Sequence, residues 1–117
     1  MSDSCALADL RTQHCQPRRG AADALPTDRV TQLLAQLPGW QIDPRTQGIR
    51  KTFSFTDYFH SIAFVNAVAS IAHREDHHPE LEVGYNRVGV HYSTHDVGGL
   101  SLNDFICAAK VEDLRAA

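Results

Sequence analysis

Between Ile49 and Tyr92 the hydrophobic period changes twice, and this limits the fold more than any other feature of the sequence. Ile49, Lys51, Phe53 and Phe55 fall on one side of an alternating stretch, with Arg50, Thr52 and Ser54 on the other. That is the pattern of a strand buried on one face. Thr56-Asp57 then offers a helix cap, and apolar residues follow along two helical stripes, Phe59, Ile62, Ala63 and Ala67 on one and Phe64, Val68 and Ile71 on the other. This predicts a helix running to about Arg74. Leu81, Val83 and Tyr85 alternate again, Asn86-Arg87 offers a turn, and Val88, Val90 and Tyr92 complete an antiparallel hairpin.

The flanks extend the same logic. Thr27 is a candidate cap for a helix carrying Val30, Leu33, Leu34 and Leu37, with Asp28 in its first turn and Pro38-Gly39 as its stop. Trp40 to Ile42 suggests a short strand and Asp43 to Gly48 a turn. After Gly98-Gly99, Ser101 caps a last helix, with Asp104 at the acid position of a capping box and Leu102, Phe105, Ile106, Ala109 and Leu114 on its apolar face. The order is α-β-β-α-β-β-α. Short connections between paired strands make this an α+β domain, a four-stranded antiparallel sheet with three helices packed on one face.

Residues 1–25 lack sustained periodicity and read as a flexible tail, leaving 26–117 as the domain. A chain of 117 residues buries only roughly 60–65% of its unfolded surface. A helix that is apolar around most of its circumference between Ile62 and Ala72 is therefore expected to bury a second side against another subunit. The net charge of −3, with no dense Lys/Arg run, does not advertise a nucleic-acid surface. No apolar stretch approaches the roughly 18 residues needed to span a bilayer, and Met1 to Ser4 has neither the basic nor the apolar region of a secretory signal. Cys5, Cys15 and Cys107 form neither a disulfide framework nor a Cys-x-x-Cys half-site. The cytoplasm is the expected compartment. Cys5, His14 and Cys15 would lack a fourth ligand as a metal site.

Five of the seven histidines lie between residues 73 and 95. Imidazole is the side chain whose ordinary pKa, about 6.5, lets it give and take protons near neutrality. Pro79 disfavours helical geometry at His78, so His77-His78 leaves the long helix and can grip two parts of one ligand. His95 follows the last hairpin strand and meets that pair if the helix end and strand end share one edge of the sheet. Other readings stay open. His73 and His77, four apart on a helix, could bind metal with His91 and His95, although no His-Glu-x-x-His motif occurs. The histidines could also be solvent-exposed without function. Singly, His91 reads as a solvent-side or packing residue of its strand, His60 as a helix-surface residue and Trp40 as core.

The run His73-x-x-x-His77-His78-Pro79, then Tyr85, Ser93-Thr94-His95, Gly99-Leu100-Ser101 and Asp104 resembles the signature of pterin-4a-carbinolamine dehydratases. Pro38-Gly39-Trp40 and Phe64 to Val68 are similar to further elements of that family, so the resemblance covers roughly residues 27–114. It implies a lyase (a hydro-lyase) that removes water from 4a-hydroxytetrahydropterin, without metal or cofactor, in tetrahydropterin recycling. It implies His77, His78 and His95 as catalytic imidazoles. Trp40, His73, Pro79, Thr94, Asp96 and Val97 would contact substrate, and Asp104 would steady the site. Position 73 is glutamate in many members and histidine here, which puts substrate affinity or pH dependence in question. The implied partners are the pterin, further copies of the chain in a homodimer or homotetramer, and an aromatic amino acid hydroxylase. Some animal members also bind a transcription factor, so a non-catalytic partner-binding module is the alternative, beside a histidine metal protein.

Overall fold

The computed structural model describes residues 7–116. Its elements are α1 (Leu7–Thr12), α2 (Thr27–Leu34), β1 (Gln41–Asp43), β2 (Gly48–Ser54), α3 (Tyr58–Glu75), β3 (Glu80–Val83), β4 (Arg87–Tyr92) and α4 (Leu102–Ala116), with 3₁₀ turns at Ala21–Asp23 and His95–Val97. The strands form one antiparallel sheet in the order β1-β2-β4-β3. Two hairpins thus meet along the central β2–β4 seam, where Ile49 lies opposite Tyr92 and Phe53 opposite Val88. Ile49, Phe53, Val88, Val90 and Tyr92 are buried on the helix side, while Arg50, Thr52, Ser54 and Arg87 remain exposed on the other. This is the α+β architecture expected from the alternating patterns, with one helix added at the N-terminus.

Several local expectations shift. Thr27 is the first residue of α2, preceded by an extended Pro26 and with no side-chain cap. The β3–β4 turn is centred on Tyr85-Asn86, since Gly84 N–H donates to Arg87 O and Arg87 already belongs to β4. Val83 is exposed on the edge strand β3 and Tyr85 in the turn that follows it, so alternation there does not mark a core face. α3 ends earlier than Pro79 requires. Asp76 adopts the left-handed conformation (φ 52°), and its N–H and that of His77 both reach Ala72 O. Aspartate tolerates that region better than most residues. At the other end Asp57 caps α3 as expected, accepting from His60 N–H at 2.9 Å.

The flexible tail expected over residues 1–25 is corrected for the described part. α1 packs on α4 with Leu10 fully buried. Beyond it Cys15 Sγ sits 3.4 Å from Cys107 Sγ. A six-residue helix is too short to show a period, so its sequence carried no signal. Covered by α1 on one side and by the sheet and α3 on others, α4 is buried from Phe105 through Ala109 rather than along one stripe. Cys107 is consequently a core thiol, held protonated by its contact with Cys15 and then by burial. Cys5 lies outside the described residues.

Glu75 ties this N-terminal stretch down. Its carboxylate, 4% exposed, accepts from Cys15 N–H at 2.7 Å, lies 2.9 Å from His14 Nδ1 and has Lys110 Nζ at 3.8 Å. Burial opposes its charge, but Cys15 N–H, His14 and Lys110 outweigh that penalty and hold the carboxyl below the ordinary value of 4.5. The folded state therefore binds this proton more weakly than the unfolded chain does. The stabilisation is complete above about pH 4.5 and is lost as pH falls through the lower folded value. Glu75→Gln is expected to cost about 1–2 kcal/mol at neutral pH. Urea midpoints measured across a pH series should show a smaller acid loss in the variant than in the wild-type chain; parallel losses would rule out this role.

Candidate active site

The end of α3 and the end of β4 meet because β3 and β4 pair with Glu80 opposite His91. Continued outward, that register carries His78 towards Ser93. The result is a cleft of about 510 Å³ lined by His77, His78, His95, Thr94 and Asp96, among others. A volume of this order is typical of small-molecule sites. His78 and His95 are exposed, the latter as the first residue of a 3₁₀ turn closed by the Thr94–Gly99 bridge. His77 is more enclosed, with its side chain 12% exposed.

Behind the cleft lies Asp104, at 0% exposure the most buried acid of the site. Its Oδ1 is 2.7 Å from His77 Nε2. Its Oδ2 accepts from Thr94 Oγ1 at 2.8 Å and from Ser101 N–H at 3.0 Å. The last contact is the acid half of the expected capping box, and Asn103 N–H to Ser101 Oγ at 3.3 Å is the hydroxyl half. Proton order follows from valence. Thr94 has one hydroxyl hydrogen and gives it to Asp104, so the 2.7 Å contact between Thr94 Oγ1 and Ser101 Oγ must be donated by Ser101. With Nε2–H of His77 pointing at Asp104, Nδ1 of the same ring is left for other work. The ring lies flat against Tyr92, with centroids 5.8 Å apart and planes at 9°. Burial, then the neighbouring Cys107 and Cys15 thiols, push the Tyr92 phenol far above its ordinary range, so it is neutral packing surface.

Not every expected contact is brought to the cleft. Trp40 is sealed in the core, packed against Phe53 and Tyr92, and its Nε1–H donates to Glu112 Oε2 at 2.9 Å. His73 is exposed on α3, outside the cleft lining, as it precedes the left-handed break that turns the chain. Pro79 is half-buried and Val97 buried, and neither lines the cleft. Conversely, Asp76, Glu80, His91 and Ser93 do line it. His91 was readable as outward-facing, since it alternates with Tyr92, but its ring contact with Thr46 and its place at the cleft depend on the β1–β2 turn. Asp76 carried a sequence signal as the acid directly before the histidine pair. Among the described residues no three His, Cys, Asp or Glu side chains converge in a way that could hold a metal ion. His14 and Cys15 turn to Glu75 and Cys107 instead.

A sequence model of the family described as pterin 4 alpha carbinolamine dehydratase matches residues 23–114. The chain belongs to this family. Proteins provisionally named pterin-4-alpha-carbinolamine dehydratase are similar to it at high identity. One from Xanthomonas oryzae pv. oryzae is 56% identical over 92% of each chain, and one from Nitrosospira multiformis is 56% identical over 92% of this chain and 94% of its own. The crystal structure of a Brucella melitensis protein titled transcriptional coactivator/pterin dehydratase superposes with a TM-score of 0.74 at 32% identity, covering 77% of this chain and 96% of that one. As a member of a dehydratase family the chain is a hydro-lyase. Its fold is the family's as well as the one its own alternation predicts.

In this pterin 4 alpha carbinolamine dehydratase family member, Asp104 is the group on which the site geometry rests. Asp104→Ala would strand the Thr94 hydroxyl, the Ser101 N–H and the His77 ring nitrogen together. The expected loss is about 3 kcal/mol or more. Chemical denaturation measures it, and a midpoint within experimental scatter of wild type would remove Asp104 from this role.

Proposed function

We propose that this chain dehydrates 4a-hydroxytetrahydropterin to the quinonoid dihydropterin, by histidine general acid–base catalysis. The observation carrying the reading is that imidazoles from two separate segments, His77-His78 and His95, line one cleft backed by a buried carboxylate. The family and the names of the relatives agree with it.

The chemistry needs one proton given and one taken. A protonated imidazole donates to the hydroxyl on C4a, the C–O bond breaks and water leaves. A neutral imidazole removes the proton from N5, and its electron pair forms the N5=C4a double bond. Each transfer is worth roughly 10²–10⁴-fold. His78 and His95, exposed and without a side-chain hydrogen bond among the described residues, suit the two transfers, with either assigned to either proton. His77, fixed by Asp104 and Tyr92, orients the heterocycle and offers Nδ1. Thr94 and Asp96 complete the contacts to substrate. No metal or cofactor enters these steps.

The same reading places the enzyme in the recycling of tetrahydropterin for an aromatic amino acid hydroxylase in the cytoplasm. No helix of the described residues is long and apolar enough to cross a membrane. A second copy would cover the side of α3 that carries exposed Phe59 and Ala63 and half-buried Ile62, giving a dimer or tetramer. A second reading, partner binding of the kind the Brucella title names, is favoured by Tyr58 and Tyr85. They stack in the open at the start of α3, with centroids 6.5 Å apart.

Stopped-flow decay of 4a-hydroxytetrahydropterin tests the proposal. His78→Ala and His95→Ala should each slow the catalysed decay by about 100-fold or more, with circular dichroism unchanged. Wild-type turnover in both variants would end the assignment and leave partner binding as the function. Elemental analysis should find no stoichiometric metal, and sedimentation should find at least a dimer; bound zinc or iron, or a monomer at micromolar concentration, would overturn the corresponding statement.

A further inference from the structure

The stretch from Cys15 to Leu25 lies mostly before residue 23, where the match to the family begins, yet it is stitched to the domain beside the histidine cleft. Cys15 N–H reaches Glu75, the residue before Asp76-His77. Gln16 and Asn103 exchange hydrogen bonds, Gln16 N–H to Oδ1 at 3.1 Å and Nδ2–H to Gln16 O at 2.7 Å, next to Asp104. Gly20 N–H donates to Asp96 O at 3.1 Å, one residue from His95. Each anchor is thus a sequence neighbour of a residue of the site. An arm held at three such points is a wall of the site rather than a tail.

Between this arm and the domain lies a second cleft of about 300 Å³. It shares Asp76, His77, Thr94 and Asp96 with the histidine cleft, so the two adjoin. The arm contributes Gln16, Arg18 and Arg19 to its walls. Arg18 Nε–H is used, donating to Asn103 Oδ1 at 3.1 Å. No hydrogen bond of the Arg18 Nη groups or of the Arg19 guanidinium is recorded among the described residues, so these donors remain for a ligand.

The lining charges decide the chemistry of that ligand. Two guanidinium groups supply donors only, and the carboxylates of Asp76 and Asp96 supply acceptors only, while the third lining carboxylate, Glu75, is already engaged by Cys15 N–H and His14. An anionic group would meet both carboxylates, and an aliphatic one would leave every polar wall unpaired. A hydroxyl group both donates and accepts, so adjacent hydroxyls on a short chain satisfy the two kinds of wall together.

We propose that Arg18 and Arg19 form, with Asp76 and Asp96, a subsite for a neutral, hydroxyl-bearing substituent of the heterocycle held at the histidines, and that the two arginines determine specificity for it. This rests on the dehydration reading given above for the identity of the heterocycle.

The experiment compares two 4a-hydroxytetrahydropterins, one with a trihydroxypropyl group and one with a methyl group at C6. In the wild-type chain kcat/KM should favour the hydroxylated substrate by about tenfold or more. Arg18→Ala and Arg19→Ala should each shrink that ratio several-fold, through KM rather than kcat. A ratio untouched by both variants, or no preference in the wild type, would overturn the subsite. Taking the ratio cancels any general loosening caused by freeing Asn103 from Arg18. Calorimetry with unreactive 7,8-dihydropterins bearing the same two groups, and a third bearing a C6 carboxylate, separates the two readings. Binding preference without turnover sinks the dehydration reading and keeps the subsite; turnover without preference does the reverse. Tightest binding of the carboxylate overturns the choice of a neutral group.

Discussion

A single buried carboxylate organises the working end of this molecule. Asp104 accepts from the start of its own helix and from Thr94, two residues past β4, and sits against the ring that leaves α3. Three segments distant in sequence are thereby fixed to one atom pair. A buried charge is tolerated only when its hydrogen-bonding capacity is filled, and filling it here forces the ends of α3, β4 and α4 together. The cleft is the outer surface of that junction. What began in sequence as a helix-capping acid is, in three dimensions, the support beneath an imidazole.

How far the sequence disclosed this depends on the physics of each element. Strand alternation from Ile49 to Phe53 and from Val88 to Tyr92 identified the core face because those strands are central and have one wet side. Alternation at Leu81, Val83 and Tyr85 marked the hairpin but no core face, since an edge strand need not bury either face. The long helix and its Asp57 cap were legible from local pattern, and so was the capping box at Ser101. The meeting of His77-His78 with His95 required the β3–β4 register, which a turn at Asn86-Arg87 does not give and a turn at Tyr85-Asn86 does. Trp40 shows the limit. A tryptophan beside a short strand can face a ligand or the core, and it takes the packing against Phe53 and Tyr92 and the bond to Glu112, 72 positions away, to show that this one is core.

The arm was invisible for a different reason. Its hold on the domain comes from isolated side-chain and backbone contacts at Glu75, Asn103 and Asp96, none of which repeats with any period. Pattern reading detects elements that bury a face; it is blind to irregular chain that is stitched rather than packed. The family match stops short of this stretch as well, while the relatives that match 92% of the chain extend past that boundary. Most of the arm thus lies outside the part of the chain that the family model matches.

The sheet order has a kinetic meaning too. Each hairpin closes through a few neighbouring residues, but the seam between them joins Ser54 to Arg87 and Ile49 to Tyr92, on opposite sides of the whole of α3. Loop-closure entropy must be met before those pairings contribute anything. The two ribbons can assemble early and independently, and the step that unites them into one sheet then governs how fast the chain reaches its native state. Until it happens, the inner edges of β2 and β4 stay unpaired and adhesive, and that interval is when the chain is most exposed to pairing with the wrong neighbour.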